Sequence, residues 1–328
     1  LQRATEKERV MGRIGLLLLA VFLISSFGCG RIPQNSQQWY QRGIRAAQRE
    51  KWGTAKESLE KALEGELTPR EQISARITLA DAYFNSGDYE NAAIAYEEFL
   101  ELYPASEKAK DALFNLGISY VNLIKGPEWD QTFTERALRA FERFLRDYPS
   151  DPRREDAEKM KKLTKVILAE HVVYIGGTYD MIHKFTASAK RYREVMETYR
   201  DVEPEDRITY LYGRALYYYP VQAEEEIDRL KHSLKKEKKK LRSKDEEERK
   251  IAENRIKFIE SDIEMWKRKA KEGKKKGEVV LKNLIEKYPD SPYSRKARKI
   301  LEGKKIFSVE PVKNPLKRSL WWKIWKTI

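Results

Sequence analysis

The sequence predicts an all-α protein made of repeated helix pairs, and three observations carry that reading. No stretch alternates apolar and polar residues with β-branched enrichment, as a half-buried strand requires. Charged residues make up 36% of the 328, against about 25% in an average protein, with only 12 Pro and 16 Gly. Small and aromatic residues then recur at fixed offsets. From Ala80, the residues Tyr83, Ala92, Tyr96 and Pro104 follow at 3, 12, 16 and 24 positions. The set returns as Gly43, Ala55 and Leu59, as Gly117, Tyr120, Ala137, Phe141 and Pro149, and as Gly176, Tyr179, Ser188 and Tyr192. Those are the offsets of a tetratricopeptide repeat, about 34 residues of helix–turn–helix. They predict a solenoid of about five helix pairs, with a long coiled-coil hairpin inserted in the last.

The amino-terminal segment is not part of that array. Arg13 precedes the apolar run Ile14–Ile24, and Ser26-Phe-Gly28 leads into Cys29, the single cysteine. A basic region, a short apolar region and small residues at a cut site are the order of a secretory signal peptide. The run is too short for a hydrocarbon core about 30 Å thick, which needs roughly 20 residues. Residues 1–28 are therefore expected to be a signal peptide, with Met11 a candidate true start. Cys29 is the expected lipidation site, carrying a diacylglycerol and an N-acyl chain, and 29–35 form a lipid-linked tether. With the thiol consumed, no disulfide or cysteine metal site is available. The net charge of +14 would ordinarily point to nucleic acid. An exported protein meets none, which leaves anionic headgroups or an acidic protein partner. Gly30 rather than Asp after the anchor favours the outer membrane, periplasmic face.

Residues 36–220 are assigned to repeats 1–4 and the first helix of repeat 5. Small residues on first helices (Gly43, Ala80, Gly117, Gly176) allow close approach of the second helix. Small residues there (Ala55, Ala92, Ala137, Ser188) receive them, and aromatics fill the rest. Asn85-Ser-Gly87-Asp88 reads as a tight turn with Gly87 at positive φ. The third repeat is eight residues longer than the second, around Lys125-Gly-Pro-Glu-Trp129-Asp-Gln-Thr132. There Thr132 and Glu135 have the spacing of a capping box.

Residues 221–276 predict the inserted hairpin. Ile256, Ile259, Ile263, Trp266 and Ala270 step by 3 and 4, as do Ala223, Ile227, Leu230 and Leu234, with Leu241 seven further on. The reversal falls near Ser243-Lys-Asp-Glu246, so the hairpin is expected to extend both helices of the last repeat. Its Lys-rich segments, 235–240 and 267–276, read either as a solvated face or as a surface for acidic partners. Residues 277–302 end repeat 5. The tail, 303–328, is cationic and Trp-rich. Trp321, Trp322, Trp325, Lys323 and Lys326 fall in an amphipathic stretch suited to a bilayer interface, or to docking on a partner or on the last repeat.

No catalytic constellation emerges. His171, His183 and His232 lack metal-ligand spacing, Gly273-Lys-Lys-Lys-Gly277 is not a phosphate loop, and consecutive carboxylates splay around their helices. An enzyme is not expected, nor any metal or non-covalent cofactor. Helix-pair arrays offer grooves to extended peptides. Tyr83, Tyr120 and Tyr179, at one position of successive first helices, are candidates to line such a groove; packing between adjacent helices is the alternative.

Tyr103-Pro104-Ala-Ser, Tyr148-Pro149-Ser-Asp and Tyr288-Pro289-Asp-Ser close repeats in the style of periplasmic repeat lipoproteins. Trp129-Asp-Gln-Thr132-Phe-Thr-Glu-Arg-Ala137, Leu168-Ala-Glu170 and Ala187-Ser-Ala-Lys-Arg-Tyr192-Arg-Glu-Val195 are more specific. Over roughly residues 13–215 and 276–300 the chain resembles the BamD family, lipoproteins of the β-barrel assembly machinery. The 52-residue insertion and the tail have no counterpart in that pattern, and Ser188 stands where the family prefers Ala. The resemblance implies an adaptor that binds the BamA-like barrel-inserting protein and unfolded outer-membrane protein clients, beside other assembly lipoproteins and the lipid bilayer. In that picture the amino-terminal repeats receive clients and the carboxy-terminal repeats hold the membrane-embedded partner. Gly87-Asp-Tyr-Glu-Asn-Ala92 and the Tyr-Pro signals also occur in the Tol-associated periplasmic repeat coordinator, so an envelope organiser linking Tol, cell-wall or division machinery is the second reading.

Overall fold

The computed structural model describes residues 35–306. Cys29, the expected signal segment and the tail residues Trp321, Trp322, Lys323, Trp325 and Lys326 lie outside them. Among the described residues the secondary structure is wholly helical, an all-α tetratricopeptide-repeat fold in two compact units that divide after Ala109. The first unit holds α1 (Ser36–Gln48), α2 (Trp52–Leu63), α3 (Pro69–Asn85) and α4 (Tyr89–Leu102). The second holds α5 (Ala109–Leu123), α6 (Thr132–Asp147), α7 (Arg154–Met181), α8 (Phe185–Thr198), α9 (Glu205–Tyr217), α10 (Tyr219–Lys240), α11 (Glu246–Lys287) and α12 (Pro292–Leu301).

The close-approach rule holds as geometry. A Cβ added to Gly43 would lie 2.6 Å from Leu59; at Gly117 it would meet Phe141 at 2.7 Å, and at Gly176 Tyr192 at 2.6 Å. Each partner sits four residues after the small residue of the second helix, one turn on. Gly213 and Leu281 repeat the relation at 2.9 Å, which pairs α9 with the distal part of α11. Leu59, Tyr96, Phe141, Tyr192 and Leu281 are all buried at the centres of their pairs.

The turns follow a rule of their own. The residue seven positions after the small one is left-handed in three repeats: Glu50 at φ 56°, Gly87 at φ 79° and His183 at φ 55°. In the fifth repeat that position is Pro220, whose ring holds φ near −65° and forbids the turn. The chain breaks at Tyr218 and starts α10 instead. This corrects the expectation that both hairpin helices extend the last repeat. Only α11 does, running 42 residues without interruption from hairpin into repeat.

Along the hairpin, Ile256 and Ile263 of α11 are buried, with Ala252, as are Ala223 and Ile227 of α10, while Ile259, Trp266, Ala270, Leu230 and Leu234 are partly exposed. Leu241 is exposed and lies past the end of α10, so it is not a seam residue. Asp245 caps α11 by accepting the Glu247 and Glu248 N–H groups. The α10 root is fixed on the α7–α8 turn. His183 Nδ1 and Glu225 are 2.7 Å apart, Lys184 and Glu226 2.8 Å, and the Thr186 N–H donates to Gln222 at 3.0 Å.

The capping box expected at Thr132 and Glu135 does not form. Asp130 Oδ1 accepts the Thr132 N–H at 2.9 Å, and the N-cap is Gln131, one residue before the expected Thr132. A capping box does form at Thr68 with Glu71, ahead of Pro69 at the first turn of α3. No described helix is long and apolar enough to cross a membrane.

Candidate binding surfaces

In the first unit Tyr83 is half-buried on α3. Its hydroxyl donates to Glu60 on α2, and the Lys56 ammonium lies 5.2 Å over its ring while reaching Asp88 at 3.5 Å. Burial and the neighbouring Glu60 carboxylate raise the phenol's pKa, so it stays a donor. Tyr83 thus ties α2 to α3 and shows only its flank to solvent. Ile94 and Leu102 are the exposed large apolar residues on α4.

In the second unit the equivalent tyrosines diverge. Tyr120 is 2% exposed and stacks on Phe133 at 6.1 Å, with the Arg136 guanidinium 5.8 Å over its ring. It is helix packing. Tyr179 is half-buried at the end of α7, where its carbonyl accepts the Lys184 N–H. The three share a repeat position but not an environment: Phe133 and Arg136 of α6 lie against Tyr120, whereas Tyr83 and Tyr179 are only half-buried.

That inserted loop is rigid for a reason legible in its contacts. Gln131 is buried; its amide donates to the carbonyls of Gly126 at 2.9 Å and Trp129 at 2.7 Å, and its oxygen accepts the Thr134 hydroxyl at 2.8 Å. The side chain closes the loop on itself and leaves Trp129 59% exposed, beneath the Lys125 ammonium at 5.5 Å. Asp130 is held below the usual carboxylate range by its Thr132 hydrogen bonds. His171 Nδ1 lies 2.6 Å from the Pro127 carbonyl and pins the loop to α7.

From His171 the solvent side of α7 continues through Tyr174, Thr178, Met181 and Ile182, at helical steps that share one face. Tyr174, Met181 and Ile182 are exposed apolar side chains, Met181 at 60%. Together with Trp129 they make an apolar strip edged by a loop. Exposed apolar surface of this kind marks interaction sites.

Beside the strip, buried ion pairs hold α7 against α9. Glu170, beside His171, makes a two-pronged ion pair with Arg207 on α9, and Glu203 takes the same guanidinium at 2.7 Å. Asp180, beside Met181, pairs with Arg214 at 2.5 Å and accepts the Tyr192 hydroxyl at 2.7 Å. Burial alone would lower the two arginines' proton affinity; the carboxylates more than offset it, so both remain charged. Two inward carboxylates, ten residues apart on one helix, fix its rotation. Leu168-Ala-Glu170 was legible as a motif, but its partner Arg207 was not, since nothing in local spacing joins them.

The family described as YfiO, outer membrane lipoprotein, matches residues 33–230. A protein of Aquifex aeolicus described as a putative outer membrane protein assembly factor BamD is 30% identical over 302 residues, covering 89% of this chain and 99% of its own length. The outer membrane protein assembly factor BamD of Vibrio cholerae is 28% identical over 204 residues, covering 57% and 83%. Among solved structures, a tetratricopeptide-repeat protein of Bacteroides fragilis covers 83% of this chain and 99% of its own, at 13% identity and a TM-score of 0.36, too low to carry an argument.

Proposed function

The chain belongs to the YfiO family of outer membrane lipoproteins, and from that membership we propose that it is an adaptor subunit of the machinery that assembles β-barrel proteins in the outer membrane. It acts by binding, not by chemistry. Acyl chains on Cys29 hold it at the periplasmic face. Its partners are the barrel-inserting protein and unfolded outer-membrane protein clients, whose strands end in aromatic residues.

The observation that carries the reading is the apolar strip of Trp129, Tyr174, Met181 and Ile182 on the family-matched repeats. Its side chains are exposed among the described residues, and buried ion pairs fix α7 against α9 beside it. An aromatic-ended segment laid along α7 would bury those side chains, each removing about 25 cal/mol per Å² of apolar surface from water. Tyr83 and Tyr179, partly open at equivalent repeat positions, are secondary groove candidates, whereas Tyr120 contributes to packing behind the surface.

Photo-crosslinking from Trp129, Tyr174 and Met181 in intact membranes tests the proposal. Recovery of a large barrel protein with periplasmic repeat domains, or of unfolded barrel clients, is expected. Recovery of Tol or cell-wall components instead would overturn it in favour of an envelope organiser.

A further inference from the structure

We propose that the outer face of α11, along the hairpin, docks a second copy of this chain, packed antiparallel about a two-fold axis beside Phe258. The proposal uses none of the strip residues, so its failure would leave the assembly role standing.

In the hairpin α11 packs along α10, with Ala252, Ile256 and Ile263 as its buried apolar residues. Three further apolar residues fall outside that seam. Ile251, Phe258 and Met265 step by seven, which keeps them on one stripe that runs beside the seam and is turned away from it. Phe258 is 75% exposed and Ile251 47%, with Met265 half-buried. A phenylalanine standing in water on a charged helix contributes little to the hairpin itself. Exposed apolar side chains held in one register are what a partner covers.

The residues beside the stripe decide which partner. Glu247, Asn254, Ser261 and Arg268 flank it on one side, and Glu248, Arg255, Asp262 and Lys269 on the other. All eight are exposed. Glu247, Glu248, Arg268 and Lys269 make no ion pair among the described residues. A two-fold axis between antiparallel helices sets each flank against its own copy, with the direction reversed. With the axis at Phe258, Glu247 meets Arg268, Glu248 meets Lys269, Arg255 meets Asp262 and Asn254 meets Ser261. Along the stripe Ile251 meets Met265, and Phe258 meets its own copy. No two like charges face each other in this register. A parallel pair in register would set Glu248 on Glu248 and Lys269 on Lys269.

Charge balance points the same way. Residues 246–270 carry seven acidic and seven basic side chains, although the chain as a whole is +14. Two copies can therefore meet here without the repulsion that the net charge imposes elsewhere. A polyanion has nothing to prefer in a neutral segment, whereas a reversed α11 matches both the flanking charges and the helix dipole.

Sedimentation equilibrium tests this with the chain from residue 30 onward, which keeps every described residue. A monomer–dimer equilibrium is expected. Phe258→Glu sets two carboxylates against each other at the axis and should weaken the dimer roughly tenfold or more. Glu248→Lys and Lys269→Glu should each weaken it, and the two together should restore it, because facing residues are again opposite in charge. Unchanged helical circular dichroism shows that the fold survives. A chain monomeric at every concentration would overturn the proposal and leave the stripe to a helix of another protein. Dimers indifferent to Phe258→Glu, or a double swap no stronger than either single one, would overturn it as well.

Discussion

Glu170 on α7 and Arg207 on α9 form a two-pronged ion pair at 2.7 and 3.0 Å, each side chain 1% exposed. Burying both charges is costly, and the geometry compensates only while both partners remain. Arg207→Met strands two carboxylates and should cost about 3–5 kcal/mol in chemical denaturation. Glu170→Gln should cost less, because Glu203 still holds the guanidinium. Equal losses would mean that Glu203 carries none of the charge balance.

Gly277 faces the α9 backbone. A Cβ there would come within 2.7 Å of the Tyr217 Cα and 2.9 Å of the Gly213 oxygen. Backbone cannot yield as a side-chain end can, so Gly277→Ala should destabilise the second unit by about 1–3 kcal/mol or more. A thermal melt no lower than wild type would refute the packing of α9 on distal α11.

Glu50 occupies a left-handed position, φ 56°, that in the second repeat belongs to Gly87. Its side chain is exposed. Glu50→Gly removes the Cβ strain, worth about 1–2 kcal/mol, against roughly 0.4–1 kcal/mol of added unfolded-chain entropy. The net expectation is a small rise in denaturation midpoint. A clear fall would show that the strain is not there.

Asp151 is pulled down to about 2 by its two-pronged bond with Arg153, which also lies over Phe114 and Phe144 at 5.0 and 5.4 Å. A depressed carboxylate stabilises the fold above its unfolded pKa and loses that contribution as pH falls through the folded value. The stabilisation, about 2 kcal/mol, should therefore be complete above pH 4 and disappear towards pH 2. Asp151→Asn should be weaker at neutral pH and show a flatter profile over that window.

Gln131 has three hydrogen bonds inside the third-repeat loop. Gln131→Ala leaves two carbonyls and a hydroxyl unmatched, at about 1–3 kcal/mol, and frees Trp129. Crosslinking from Trp129 should fall while that from Met181, on the far end of the strip, persists. Parallel loss at both positions would mean the effect is global unfolding.

Repetition is what made the fold readable. Gly43, Ala80, Gly117 and Gly176 announce themselves because each helix pair solves the same contact with the same residue sizes. The hairpin seam was legible from its heptads, since a long helix pair is decided by local periodicity. The Thr132 misreading shows the limit: Asp130, two residues earlier, takes the Thr132 N–H that the Glu135 carboxylate would accept in a capping box, and spacing alone cannot rank two acceptors. Tyr83, Tyr120 and Tyr179 looked equivalent for the same reason, although only Tyr120 is buried, against Phe133 and Arg136 of α6.

The sequence by itself determined the helical class, the phase of each pair and the position of the insertion. These depend on neighbours along one chain segment. Only the tertiary structure decided which face of α7 meets α9, through Glu170 with Arg207 and Asp180 with Arg214. It alone set Pro220 against the turn made by Gly87 and His183. Such choices rest on buried charges and backbone contacts between residues distant in the chain, and those energies exist only once the helices have met.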